Sequence, residues 1–598
     1  MLRTVGPAGS TKGVISVRFV LAIISFVVAA VMIGAGIAQR TVLLEPDQVS
    51  LSTTSNTGTA VTVIDGATLN AFDGSQTLRV SGSDTILAAY GRTTDVLAWI
   101  GDAEYTEIGY DADTEALTTT KVSGKEKEVP TIEGSDLWLS EYSMTNTLAL
   151  TVKVPADVSF IIISDGIKPA APNYAVSWPL DNSTPWAGPL IIAGAFALLL
   201  GLAFLLWATN HLRNSRGPRR KPQKMPKVPR KRILRPTRKL AIDKPSGGRR
   251  SARGMIAIPI VLVGALSLAG CTADFWPGTG PSATPTATAT AVPDAAQADP
   301  PAATVKQVER IVAAISETVA AADAAKDKTL LATRMQGAAL ELRLANYTIT
   351  TADPSIAALP AIPAGPVKVT LPQQTDTWPR TVFAVIQDDT DSTIPPLALF
   401  LEQEEPRANY KVSYAITLEP SAVLPKVAPA AIGTARLLED SSVLSIAPDK
   451  LALDYADILE KDVDSNAYLD FEADGDSLRE NVGVTYKAKV RAALPTTATV
   501  TFSHALGGAS AIALATNDAG AIIAVNLNEI TTVTPVEAGA AVNPTGQVKA
   551  LSGLEISTKG VVATYGDQLL FYVPPAGSDA KIILLGYTQG LIKAGEVG

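Results

Sequence analysis

Between Trp186 and Cys271 an uncharged run, a strongly basic stretch and a second uncharged run follow one another, and no other feature constrains the chain as tightly. Residues 187–209 (AGPLIIAGAFALLLGLAFLLWAT) carry no charge. A helix rising about 1.5 Å per residue over that length crosses a hydrocarbon layer about 30 Å thick. Trp186 and Trp207 flank the run, where amphipathic rings settle at a membrane–water boundary. The following stretch, 210–254, holds seventeen Lys or Arg against one acid, Asp243. Positive loops stay on the cytoplasmic side, so this one is expected inside. It lacks aromatic residues, and Pro218, Pro222, Pro226, Pro229 and Pro236 oppose helix formation. Anionic lipid headgroups, and not nucleic acid, are therefore its expected partners.

The second run, 255–271, is short for a spanning helix but has the length of a signal-peptide core and follows a basic segment as such cores do. It ends in Leu268, Ala269, Gly270 and Cys271. These residues resemble the lipobox of bacterial lipoproteins, in which small residues precede a cysteine that is lipidated and becomes the mature N-terminus. The resemblance implies lipidation at Cys271, the single cysteine of the chain, and processing before it. Its mid-chain position departs from the lipoprotein pattern, and an uncleaved third membrane helix is the alternative. With one cysteine no intramolecular disulfide forms.

Residues 1–18 are a basic leader with Arg3, Lys12 and Arg18, and 19–39 are uncharged and long enough to span. The chain is then expected to exit outward. Gly36-Ile37-Ala38 also reads as a signal-peptide cleavage site, although the length of the run favours a retained anchor. Residues 40–185 are expected to form an exported all-β, sandwich-like domain, from short β-branched and aromatic runs at 61–64, 78–81, 86–90, 96–100, 137–142, 148–154 and 158–163. The acids Asp102, Glu104, Glu107, Asp111, Asp113 and Glu115 read as a solvated strand face and turn, with no metal assigned.

After Cys271, residues 272–303 are a Pro/Ala/Thr-rich linker, too poor in bulky apolar residues to build a core. Two exported α+β units are expected beyond it, 304–449 and 450–598, each with helices ahead of an antiparallel sheet. Helices are expected from Val305, at 329–347, 451–463 and 477–493. Strands are expected at 381–386, 397–401, 410–418, 499–503, 512–516, 522–527, 561–565, 569–573 and 582–587, with turns at 517–520 and 566–567. The order of elements is similar to a tandem of NTF2-like units. The exported arrangement and Ala/Thr-rich composition resemble uncharacterised multi-domain membrane proteins of high-GC Gram-positive bacteria, which implies no activity.

Catalytic patterns are missing from the sequence. Of two histidines, His211 borders an apolar run, and His504, beside Ser503, falls on a strand whose neighbouring residues point to opposite faces. Asp462, Asp464, Asn466 and Asp470 fit part of a calcium loop, but Ala467 and Ala473 replace its glycine and its closing glutamate. No catalytic residue, cofactor or metal is assigned. Apart from the basic leader and loop the chain carries 30 basic and 57 acidic residues, so the folded parts are acidic and unsuited to a polyanion. The expectation is a multi-pass envelope protein with both large domains on the extracytoplasmic face, acting as a non-enzymatic scaffold or binding element for envelope proteins or glycans. The alternative is a glycan hydrolase using paired Asp and Glu.

Overall fold

The first long apolar run forms helix α1 (Val17–Thr41), and its packing is set by small residues at sevenfold spacing: Ala22, Ala29 and Gly36 are its buried positions. The computed structural model describes residues 17–44, 46–180, 182–215, 299–388 and 393–598. These fall into two units, 17–49 with 179–215 and 50–178 with 299–598. The basic loop beyond residue 215, the run 255–271 with its lipobox, and the linker to residue 298 lie outside the described residues.

In the first unit α1 lies antiparallel to helix α4 (Ala187–Ser215). Ala187, Gly194, Gly201 and Ala208 of α4 are small and buried, again seven apart. A Cβ on Gly36 would lie 2.7 Å from Ile191 Cγ1, and one on Gly194 would lie 2.6 Å from Ile33 Cγ1. Only glycine allows so close a backbone approach. Arg18 lies over the Trp207 ring, 4.1 Å from its centroid. Both helices are long and apolar enough to cross a membrane.

The second unit begins with an eight-stranded sheet. Its strands are β1 (Gln48–Thr54), β2 (Val61–Ile64), β3 (Gln76–Arg92), β4 (Tyr105–Asp111), β5 (Ala116–Val122), β6 (Ser140–Val152), β7 (Val158–Ile163) and β8 (Asn173–Pro179). They run in the order β1-β8-β3-β7-β2-β4-β5, with β6 on β3, so a single hydrogen-bonded sheet replaces the two expected for a sandwich. The runs expected as separate strands at 78–81 and 86–90 are one, because β3 pairs with β8 along its first half and β7 along its second. Two helices interrupt the strands, α2 (Gly66–Leu69) and α3 (Thr93–Ile100). The latter corrects the strand expected at 96–100: an apolar run of five residues suits either state, and here Val96, Trp99 and Ile100 reach the core from a helix.

Residues 299–598 form four layers. Helices α5 (Val305–Ala325), α6 (Lys328–Ala332) and α7 (Gly337–Ala352) cover a sheet of β9 (Val367–Pro372), β10 (Arg380–Ile386), β11 (Leu397–Gln403) and β12 (Lys411–Thr417), ordered β12-β11-β10-β9. The second sheet holds β13 (Arg436–Leu437), β14 (Ala498–Leu506), β15 (Ile512–Ala515), β16 (Ala521–Pro535), β17 (Val561–Val573) and β18 (Ile583–Glu596). Helices α8 (Pro448–Lys461), α9 (Ser477–Val482) and α10 (Val484–Ala493) precede its main strands, and α11 (Gly546–Ser552) lies between β16 and β17. Val382, Ala384 and Leu399 face α5 to α7, whereas Phe383, Phe400 and Tyr414 face Ile522, Ala524 and Leu570 of the second sheet. Ile523, Val525, Leu569 and Phe571 point the other way, onto Leu451, Tyr455 and Leu478. A strand covered on both faces reads as unbroken apolar sequence, as β10 does.

Other boundaries also depart from expectation, the runs expected at 137–142 and 148–154 being one strand, β6. The helix expected at 329–347 breaks after α6, where Met335 bridges to Val412 at the edge of the first sheet and Gly337 takes φ +55°. The one expected at 477–493 breaks at Gly483, whose Cβ would lie 2.4 Å from Arg479 O. The turn expected at 566–567 is the middle of β17, paired with Asn528 and Leu527 of β16 on one side and with β18 on the other. The turn at 517–520 is present, closed by Thr516 N–H donating to Gly520 O at 2.9 Å.

Candidate functional site at the interface of residues 50–178 and 299–598

Helix α3 presents Asp95 at its first turn, and Arg92 at the end of β3 grips it through two bonds of 2.8 and 3.1 Å. A third donor comes from far along the chain, Arg380 Nη2 at 2.7 Å. Arg380 opens β10 and stacks on Trp378, 3.7 Å from the ring centroid. Trp378 in turn packs against the core of the 50–178 sheet, with Trp99 and Trp138. Carboxylate, guanidinium and indole thus share one contact.

A second buried pair lies alongside. Arg334, in the break between α6 and α7, donates to both oxygens of Asp136, and Tyr410 N–H donates to the same carboxylate at 2.9 Å. The break therefore has a cause, since a continued helix would not hold Arg334 there. Asn409 and the 134–136 turn exchange two bonds: Asn409 Nδ2 to Gly134 O at 3.1 Å, and Asp136 N to Asn409 Oδ1 at 3.0 Å.

Around these pairs, side chains of the 299–598 part cap open carbonyls of the 50–178 part. Arg407 donates to Trp99 O and Ile100 O at 2.8 and 2.9 Å, at the C-terminal end of α3, and to Glu126 at 3.0 Å. Gln307 in the first turn of α5 reaches Leu137 O, and Arg310 reaches Trp138 O and Leu139 O. Helix ends and turns leave such carbonyls unsatisfied, and guanidinium is well shaped to take two at once.

A different cluster has the groups that chemistry uses. Lys487 of α10 contacts His504 of β14 at 3.2 Å and Glu529 of β16 at 3.4 Å, while Glu529 also lies 3.2 Å from His504 and accepts from Gln589 at 3.0 Å. His504 thus points toward α8, where Glu460 lies 3.4 Å from its Nδ1. On the neighbouring strand β17, Asp567 is 0% exposed, with Gln589 of β18 beside its carboxyl. Burial, and then the charge of Glu529, push that carboxyl well above the usual carboxylate range; burial pulls the Lys487 ammonium below its own. Such shifts often mark active sites. Here Lys487 and Asp567 are 3% and 0% exposed.

The remaining sequence candidates have ordinary structural roles. Lys125 pairs with Asp102, Lys121 with Glu104, and Asp111 closes a turn on Asp113 N–H. Asp462 and Asp464 form one turn of 3₁₀ helix and Asp470 ends another. Among the described residues no group of three or more His, Cys, Asp or Glu is placed to hold a metal ion. Leu268, Ala269, Gly270 and Cys271 lie outside the described residues. Asp95, Asp136, Arg334, Arg380 and Arg407 were not singled out in the sequence. The available signal was a charge set inside or beside an apolar run, as in TTDVLAWI and WPRTVFAVI.

Residues 299–596 match the family model described as Domain of unknown function (DUF8094). The match takes in the four-layer block from just ahead of α5 to the end of β18, and none of the 50–178 sheet. No curated protein and no solved structure matches the chain.

Proposed function

We propose that this chain is a membrane-anchored cell-envelope protein whose two acidic folded parts lie together on the extracytoplasmic face and serve as a non-enzymatic scaffold or binding element. The observation that carries the reading is one of parity. Residues 50–178 and 299–598 bury Asp95 on Arg380 and Asp136 on Arg334, so they share a compartment. If α4 crosses the bilayer between them, the chain must return before residue 299. The apolar run 255–270 is the segment able to bring it back. The basic loop between the two crossings then lies in the cytoplasm, against anionic lipid, as its charge requires. A helical hairpin closed by Gly36 and Gly194 agrees with a first apolar run that is retained and not removed as a signal peptide.

Under this reading Cys271 emerges on the outer face and carries lipid, which anchors the chain better than a run of sixteen residues does. The partners are membrane lipid and other envelope proteins or glycans, and nucleic acid is not among them. Intact and fragment masses of the membrane-extracted protein test the lipid anchor. Two products are expected, split before Cys271, with acyl mass on the C-terminal one, and Cys271→Ala should remain a single unlipidated chain. A wild-type chain of full length with a free thiol at Cys271 refutes the anchor. Protease attack on residues 50–178 or 299–598 from the cytoplasmic side of sealed vesicles refutes the orientation.

A further inference from the structure

We infer that residues 50–178 are a dedicated docking receptor for the 299–598 block, and that the two stay bound as separate polypeptides once the chain between them is cut. Each side has a core of its own. The 50–178 sheet packs around Trp99, Trp138 and Ile161, and the four-layer block around three clusters of its own residues. Neither part borrows a strand from the other: the named strands pair in three sheets, one in the first part and two in the second. The family match also begins and ends with the four-layer block, which marks it as a module apart from its partner.

The chemistry between them is that of recognition between finished surfaces. Two modules folded as one core would meet through aliphatic side chains. Here arginines dominate: Arg310, Arg334, Arg380 and Arg407 from the block, answered by Asp95, Asp136, Glu126 and backbone carbonyls. Trp378, half-buried on the core of the 50–178 sheet with Arg380 stacked on it, has the make-up of a binding hot spot, in which Trp and Arg are the enriched residues. Buried pairs specify a partner because a wrong surface leaves both charges desolvated and unmatched. The inference uses the compartment assigned under the proposed function but not the lipid, since the docking surfaces are the same whether or not Cys271 is modified.

The test uses the full-length protein in its membranes, with a protease recognition sequence inserted after Cys271, between residues 276 and 297. Before cutting, the whole protein should sediment with the membranes; if it does not, membrane anchoring fails and the docking inference is untouched. After cutting, the C-terminal fragment carries neither lipid nor apolar helix. The fragment is expected to remain in the pellet through washes at 0.5 M salt, because buried pairs are poorly screened. Asp95→Lys with Asp136→Lys should move at least nine-tenths of it to the supernatant. The membrane-retained 50–178 part of the variant should keep the protease resistance of the wild-type receptor, which separates lost docking from misfolding. Full release of the wild-type fragment on cutting overturns the inference. So does retention of the fragment by the charge-reversed receptor.

Discussion

Arg380 and Asp95, 285 residues apart in the chain, meet at 2.7 Å with their side chains 1% and 5% exposed. A buried ion pair adds little net stability, because desolvation offsets its Coulomb attraction, but removing one partner leaves a charge that nothing compensates. Asp95→Ala strands two guanidinium groups, Arg92 and Arg380. It is expected to destabilise the fold by about 3–5 kcal/mol in denaturant titration. Asp95→Leu combined with Arg380→Met should recover much of that loss. A single-variant cost below about 1 kcal/mol would show the pair to be incidental.

The α1–α4 hairpin predicts a cross-link. Arg18 lies over Trp207, so Arg18→Cys with Trp207→Cys should join under a thiol cross-linker in membranes. Ile33→Cys with Leu199→Cys, on an exposed part of α4, should not. If α1 were removed as a signal peptide, neither pair would react within one chain.

Asp567 predicts a pH dependence of stability. Its carboxyl titrates higher in the fold than in the unfolded chain, where the pKa is about 3.9, so the native state holds the extra proton. That contribution is present in full below the unfolded value and is lost as pH rises through the folded one. Asp567→Asn cannot lose it. The variant should match the wild type in thermal melts near pH 4 and melt higher by a few degrees near pH 8, a difference on the order of 1–2 kcal/mol. Equal melting at both pH values would mean that Asp567 is stably ionised in place.

Gly507 follows β14 where the backbone crosses Asn526. A Cβ there would lie 1.7 Å from Asn526 Oδ1, and Asn526 is itself held by donation to Asp567 O at 3.2 Å. Gly507→Ala is expected to cost about 1–3 kcal/mol, as overpacking does. Gly508→Ala has open space and should cost about 1 kcal/mol or less. The comparison is read by chemical denaturation of the two variants side by side.

Much of the architecture is written locally. The uncharged runs at 19–39 and 187–209 name their helices because apolarity over twenty residues needs no partner to be recognised, and the apolar spacing from Val305 marks the start of α5. Runs such as TVFAVI and IIAVNL read as strands because both of their faces are covered. What depends on distant partners was not legible. VLAWI is a helix because Trp99 and Asp95 have places to reach, and Gly566-Asp567 stays in a strand because β16 and β18 continue on either side of it. Expected separate units at 304–449 and 450–598 share an inter-sheet core. Charge told the least of all. Sequence places Asp95, Asp136, Arg334 and Arg380 among dozens of equivalent residues, and only the fold decides which carboxylate loses its water and which guanidinium replaces it. Burial and pairing are properties of two surfaces together, and one stretch of chain carries only half of either.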